Sequence, residues 1–204
     1  REFQKHQMFC ALQKHYKPEE VIEFLENNKK DFGNNDYIFI STGLRNEDFH
    51  NIVQIMQTGL CNNICLDAPN GYIQGFKAHL NKLRSHFPKA VIMAGNIVDG
   101  SKAKNLIENG ADIVKVGIGS SAVCRTRKQT GVGRPQFSAI LDCISNLWSG
   151  VNSNTLEKSY IFSIALTAGV LRTLFLLLLL IIHFLLTPKL SSVVLSNVDG
   201  VAYT

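Results

Sequence analysis

The stretch Ala90-Val-Ile-Met-Ala-Gly-Asn-Ile-Val-Asp-Gly-Ser-Lys-Ala-Lys-Asn-Leu-Ile-Glu-Asn-Gly-Ala-Asp-Ile-Val-Lys-Val116 decides the fold. Ala90–Ala94 is a short apolar run, which reads as a strand. A helix follows near Ser101–Asn109. Asp112–Val116 is a second strand, with apolar Ile113, Val114 and Val116. Strand, helix and strand at this spacing predict a crossover between parallel neighbours.

The same alternation extends towards the N-terminus. Met8–Leu12 reads as a strand, and Pro18 opens a helix whose apolar face is Val21, Ile22, Phe24 and Leu25. Lys29 and Lys30 suit its end, and Gly33 can terminate it. Tyr37–Ser41 is the next strand, followed by a helix over Asn46–Gln57 that Gly59 closes. Ile64–Asp67 and a helix over Ile73–His86 complete another unit. Beyond Val116 comes a glycine-rich loop, then a helix from Pro135 to about Leu147. This makes five successive strand–helix units, with right-handed crossovers expected. An open doubly wound sheet and part of a (β/α)8 barrel both fit. In either, the loops after the strand C-termini are the place for chemistry.

Charge divides the chain. Of its 37 Asp, Glu, Lys and Arg residues, only five lie in 151–204. The net charge of +5 suits phosphate ligands, but no basic tract with interleaved aromatics suggests nucleic acid. Five scattered cysteines argue against a disulfide framework and for a reducing compartment. Cys61 and Cys65 have loose metal spacing but no companion pair. The start carries no signal peptide pattern and reads as truncated or processed.

From Trp148 the pattern changes. Residues 148–160 read as a linker, 161–187 as a hydrophobic helix and 188–204 as a tail, after a barrel-like domain over 1–147. The window Ala168–Leu186 holds only Arg172 and His183 as ionisable groups, enough apolar length to span a bilayer. A membrane-associated helix, a tail of aberrant genetic origin and a buried globular helix all stay open.

The richest segment for chemistry is Gly117-Ile-Gly119-Ser-Ser121-Ala-Val-Cys124-Arg-Thr126-Arg-Lys-Gln-Thr130-Gly-Val-Gly133-Arg-Pro135-Gln136. Backbone N–H groups in such a turn can hold an anion. Cys124 could attack an electron-poor carbon as a thiolate, with Arg125, Arg127 and Lys128 lowering its pKa. A plain loop cysteine fits these residues as well. Thr126 could orient a leaving group or simply cap the turn.

Cys124–Gln136, together with Lys14-His15-Tyr16, Cys65-Leu-Asp67-Ala-Pro-Asn70-Gly71-Tyr72 and Ile92-Met-Ala-Gly95-Asn96, resembles the inosine monophosphate dehydrogenase and guanosine monophosphate reductase family, in its reductase form. The resemblance covers 8–145. It implies a (β/α)8 TIM barrel, of which this chain holds strands two to six, and a cytoplasmic homotetramer. It implies reduction of guanosine monophosphate by NADPH to inosine monophosphate and ammonia. Cys124 would attack purine C2, and Thr126 and Asp67 would assist as the other catalytic residues. Lys14, Asp67, Asn70 and Gly71 would contact the cofactor. Asn96, Gly119, Ser121 and Cys124 would contact the nucleotide, and Gly117, Gly119 and Cys124 would hold a potassium ion.

The sequence also departs from the family. Ser121 replaces a loop glycine, and Ala122 replaces a serine that contacts substrate phosphate. The family's later glutamate and phosphate-binding turns have no counterpart in 151–204, where Glu157 has a different context. Little turnover is therefore expected. Arg134 resembles the dehydrogenase branch, which keeps a dehydrogenase-like enzyme as an alternative. A non-catalytic, membrane-associated interaction fragment is a third reading.

Overall fold

The computed structural model describes residues 5–6, 8–148 and 160–163. Its elements run β1 (Cys10–Leu12), α1 (Pro18–Phe32), β2 (Ile38–Thr42), α2 (Asn46–Gln57), β3 (Asn63–Asp67) and α3 (Phe76–His86). They continue with β4 (Val91–Ile97), α4 (Gly100–Glu108), β5 (Ile113–Val116), α5 (Arg125–Thr130), α6 (Gln136–Trp148) and β6 (Tyr160–Ser163). Local signals explain the boundaries. Pro18 sits in the first turn of α1, and Gly33 ends that helix in a left-handed conformation, with its N–H on the Lys29 carbonyl. The backbone N–H of Arg45 donates to Asp48 Oδ2 at 3.0 Å at the start of α2. Asp99 caps α4 by accepting from the Lys102 N–H at 2.8 Å.

The sheet order is β1-β2-β3-β4-β5-β6, and every neighbouring pair is parallel. A doubly wound sheet would reverse its order at a switch point. Here the order follows the chain throughout, and side-chain alternation places all the packed helices on one face. Ile38, Ile40, Ile64, Leu66, Ile92, Ala94, Val114 and Val116 join residues of α1–α4 and α6 in one core. The intervening Phe39, Cys65, Met93 and Ile113 form a separate layer with Phe9 on the other face. That second face is the lumen of a barrel arc. Between the two alternatives the sequence left open, the structure selects the partial (β/α)8 barrel.

The two ends of the sheet differ in role. At the N-terminal end, Arg84 donates to the carbonyls of Gly110 and Ala90, both at 2.7 Å, and pairs with Asp112. Asp112 also accepts from the Ile92 N–H at 2.8 Å. This clamp ties α3, β4 and β5 below the sheet. The C-terminal ends are left to the loops.

Three expectations need correction. β4 runs past Ala94 to Ile97, because Ala68 and the Gly95–Asn96 segment (a cis peptide) go on exchanging backbone hydrogen bonds at 2.9–3.0 Å. A short helix, α5, stands in the glycine-rich loop. None of its residues is buried, so it leaves no hydrophobic period to read. Finally, residues 160–163, placed at the end of the linker and the start of the hydrophobic helix, form β6 against β5. Aromatic and β-branched residues suit a strand, and β5 otherwise offers an unpaired edge. The rest of the linker, the remaining hydrophobic helix and the tail lie outside the described residues. Among the described residues, no helix is long and apolar enough to cross a membrane.

Gly95 has neighbours that tolerate no side chain. A Cβ there would lie 2.5 Å from the Lys115 carbonyl oxygen and 2.6 Å from the Lys115 Cβ. Gly95→Ala should therefore lower the urea midpoint, costing about 1–3 kcal/mol by overpacking. An unchanged midpoint would contradict this close approach.

Candidate active site

Lys14 follows β1, Asp67 ends β3, Asn96 lies near the end of β4, and Cys124 follows β5. Parallel strands bring these positions to the same end of the sheet. The residues there form two clusters.

The first centres on Asp67. In register, Asp67 lies opposite Gly95, and Gly95 opposite Lys115. With no side chain at Gly95, Lys115 reaches across the intervening strand and pairs directly with the Asp67 carboxylate. The Lys115 side chain is 9% exposed, against 37% for Asp67. Lys14 joins from the other side, donating to the Asp67 carbonyl at 3.2 Å and lying 3.8 Å from its carboxylate. Burial opposes ionisation of both Asp67 and Lys115. The attraction between them prevails, so the Asp67 pKa is lowered and the Lys115 pKa raised. Cys65, fully enclosed beside them, is pushed up by burial, against the pull of Lys115.

Asn70 and Gly71 build the loop after β3. Asn70 is buried and its Oδ1 accepts from the Tyr72 N–H at 2.9 Å, while the Gly71 N–H donates to the Asn96 carbonyl at 2.8 Å. Tyr72 bridges outward, bonding Asp99 and accepting from the Val98 N–H at 2.9 Å. Asn96 contrasts with these satisfied groups. Its Oδ1 is buried and meets no hydrogen-bond donor among the described residues. Such an atom is costly unless a ligand or water answers it.

The second cluster centres on Cys124, the residue that caps α5. Partial burial resists its ionisation. Backbone donors of Arg127, Gly119 and Thr126, with the Thr126 hydroxyl, outweigh it and lower the thiol pKa. The expected help from cationic side chains is replaced by these backbone donors. The Arg127 guanidinium instead donates to the Gly119 carbonyl at 2.9 Å. Gly119 needs its lack of a side chain. Its φ is +75°, and a Cβ would meet Arg127 Cδ at 2.9 Å and Gly133 Cα at 3.0 Å. Ser121 closes the preceding turn, its carbonyl accepting from the Cys124 N–H at 3.2 Å and its hydroxyl from the Val123 N–H at 3.4 Å.

All five cysteines are free thiols. Burial pushes Cys61 to about 11 and Cys143 to about 12, and raises Cys10 as well. Cys124 moves the opposite way, which separates it from the buried cysteines. The Cys61 thiol donates to the Ile38 carbonyl at 3.1 Å, a packing role. No group of three or more His, Cys, Asp or Glu among the described residues could hold a metal ion. A monovalent cation at the loop carbonyls would meet the Arg127 guanidinium already bound to Gly119.

Sequence reading missed Lys115. A charge inside the otherwise apolar strand Ile113–Val116, with Gly95 and Asp67 in register beside it, was the available signal.

A barrel arc with a thiol of lowered pKa and an ionised carboxylate–lysine group at its C-terminal mouth defines a (β/α)-barrel class. The IMP dehydrogenase / GMP reductase domain matches residues 6–152, and the chain belongs to that family. GMP reductase 2 of Bos taurus is 41% identical over 140 residues, covering 68% of this chain and 39% of its own length. The GMP reductase of Photobacterium profundum is 44% identical over 140 residues, covering 68% and 40%. That of Caenorhabditis elegans is 40% identical over 153 residues, covering 74% and 42%. The chain thus spans about two fifths of the length of these relatives.

Two measurements follow. Alkylation of Cys124 by iodoacetamide should reach half its maximal rate below the ordinary cysteine pKa, and Thr126→Val should move that midpoint upward. A midpoint at or above the ordinary value would remove the thiolate assignment. Asp67→Asn should cost about 2 kcal/mol in urea unfolding at neutral pH. It strips a buried ammonium of its counter-charge, though Asp67 is itself partly solvated. Adding Lys115→Met should recover much of that loss. Because the Asp67 pKa is lowered, its contribution should be full above the unfolded carboxylate pKa and fade as pH falls through the folded value.

Proposed function

We propose that this chain carries the thiol-bearing part of a GMP reductase site, in which guanosine monophosphate and NADPH meet over the C-terminal mouth of the arc. The depressed pKa of Cys124, against raised values at the other shifted cysteines, is the observation that carries this reading. The names of the relatives support the reductase over the dehydrogenase. Arg134, the residue that resembles the dehydrogenase branch, pairs with Asp142 at 2.9 Å and so serves as a tie between loop and helix.

In this reading the Cys124 thiolate adds to purine C2, forming a carbon–sulfur bond. The 2-amino group takes a proton and leaves as ammonia, with the Thr126 hydroxyl beside the sulfur to orient it. NADPH, when bound, supplies hydride to C2. The sulfur then leaves as thiolate. Guanosine monophosphate, NADPH and two protons give inosine monophosphate, NADP+ and ammonium. Asp67, held ionised by Lys115 and Lys14, orients the groups meeting at the mouth. Lys14, beside Asp67, presents a cation for the cofactor, and Asn70 and Gly71 build the loop after β3. The unanswered Asn96 Oδ1 suits a hydroxyl or amine of the nucleotide.

Turnover by this chain is low in the same proposal. Ala122 offers phosphate no hydroxyl, and residues 151–204 contain no match to the family's glutamate or phosphate turns. A barrel domain over 1–147 that is extended by β6, cytoplasmic location and homotetramer assembly belong to this reading too.

Guanosine monophosphate should slow iodoacetamide labelling of Cys124 several-fold in the full chain, and adenosine monophosphate should not. Absence of protection would overturn the site. Ammonia release and NADPH oxidation should be small and vanish in Cys124→Ala. Substantial turnover that vanishes in Cys124→Ala would overturn the impairment while keeping the reductase.

A further inference from the structure

Asn96 carries an unanswered side chain on a backbone whose own bonds are made. Its Oδ1 is buried and meets no donor among the described residues. The segment around it is gripped from both neighbouring strands. The Asn96 N–H donates to the Ala68 carbonyl at 2.9 Å, and the Asn96 carbonyl accepts from the Gly71 N–H at 2.8 Å. The Ile97 carbonyl accepts from the Gly117 N–H at 2.7 Å. These three bonds join backbone to backbone. The next does not: the Val98 N–H donates to the Tyr72 hydroxyl at 2.9 Å. Consecutive residues, Gly71 and Tyr72, therefore hold the chain on either side of fully buried Ile97.

The Tyr72 hydroxyl has a firm footing. It donates to the Asp99 carboxylate while it accepts from Val98. The other Asp99 oxygen caps α4 through the Lys102 N–H at 2.8 Å, so the hydroxyl rests on a helix start. Burial, and then the bond to Asp99, keeps that hydroxyl protonated well above the usual phenol range. The Tyr72 N–H donates to Asn70 Oδ1 at 2.9 Å. One residue thus joins the loop after β3, the turn after β4 and the first turn of α4.

We infer that Tyr72 is a positioning residue for the nucleotide: by holding the Val98 N–H, its hydroxyl keeps Asn96 Oδ1 aimed at a donor on the ligand. The inference rests on the reading of the mouth as a nucleotide site. A buried amide oxygen without a partner is costly, so the segment gains by turning it towards water or a protein donor. The grip on both sides of Ile97 resists that turn. Without the Tyr72 hydroxyl, the Val98 N–H loses its partner and the turn relaxes, while the ring of Tyr72→Phe still fills its place. Cys124 is held by separate donors, from Arg127, Gly119 and Thr126, and stays as it is.

The test is iodoacetamide labelling of Cys124 in the full chain, titrated with guanosine monophosphate. Tyr72→Phe should raise the half-protecting concentration about five-fold, the effect of one net hydrogen bond. The labelling rate without nucleotide should not change. In an Asn96→Ala background, Tyr72→Phe should add no further loss, because the residue through which it acts is gone. Additive losses, or a changed rate without nucleotide, would show general loosening and overturn the inference. Absence of protection in the unaltered chain defeats the proposed site and this inference with it. Protection that survives Tyr72→Phe undiminished defeats this inference alone. A Tyr72→Phe chain without a cooperative thermal transition passes the test to Gly71→Ala. The Cβ of that variant would lie 2.9 Å from the Asn96 carbonyl oxygen and from Ile97 Cγ2, disturbing the other grip. It should raise the half-protecting concentration too, and an unchanged value overturns the inference.

Discussion

A protonated amine on the inner face of a parallel sheet demands an answer, and the pairing of Lys115 with Asp67 supplies it. The pair exists because the strand between them has no side chain at Gly95. Desolvation makes each charge unstable alone and makes both depend on the other. That dependence sets the ionisation of Asp67, and with Lys14 on its far side it determines what charge the mouth presents. The constraint links a missing methyl group in β4 to the electrostatics of the whole opening.

Ionisation of the thiol follows a different route. Cys124 sits where a short helix begins, and peptide donors hold the sulfur rather than a neighbouring cation. Donors belonging to the backbone cannot be removed by side-chain substitution, apart from the hydroxyl of Thr126. The glycine at 119 lets the loop come close enough for this, while Arg127 braces the same turn from behind. A carboxylate fixed by side chains and a thiol fixed by peptides thus converge on one end of the sheet.

The elements and their order were readable because each strand is a short, mostly apolar run and each packed helix repeats its apolar residues on a period near 3.6. Helix ends were readable too, at Pro18 and Gly33, where the local chemistry is explicit. The choice of barrel over doubly wound sheet came only through the family resemblance, since both use the same local pattern and differ only in which strands become neighbours. The motif positions Lys14, Asp67, Asn96 and Cys124 were found through their resemblance to a family. Lys115 escaped because its importance lies in register across two strands, which a linear reading does not display. α5 escaped because an exposed six-residue helix buries nothing, and β6 because four residues before a long apolar run are absorbed into it.

The strand order has a kinetic meaning as well. Every strand from β2 onward pairs with the one made just before it, so no pairing waits for a distant part of the chain. Loop closures are short, and their entropy is met one unit at a time. A chain of this kind can add units in the order in which a ribosome delivers them, each new strand finding its template already in place. The arc is then a record of synthesis, with the Arg84 clamp fastening β4 and β5 to α3 from below and the reactive loops gathering above only as the later strands arrive.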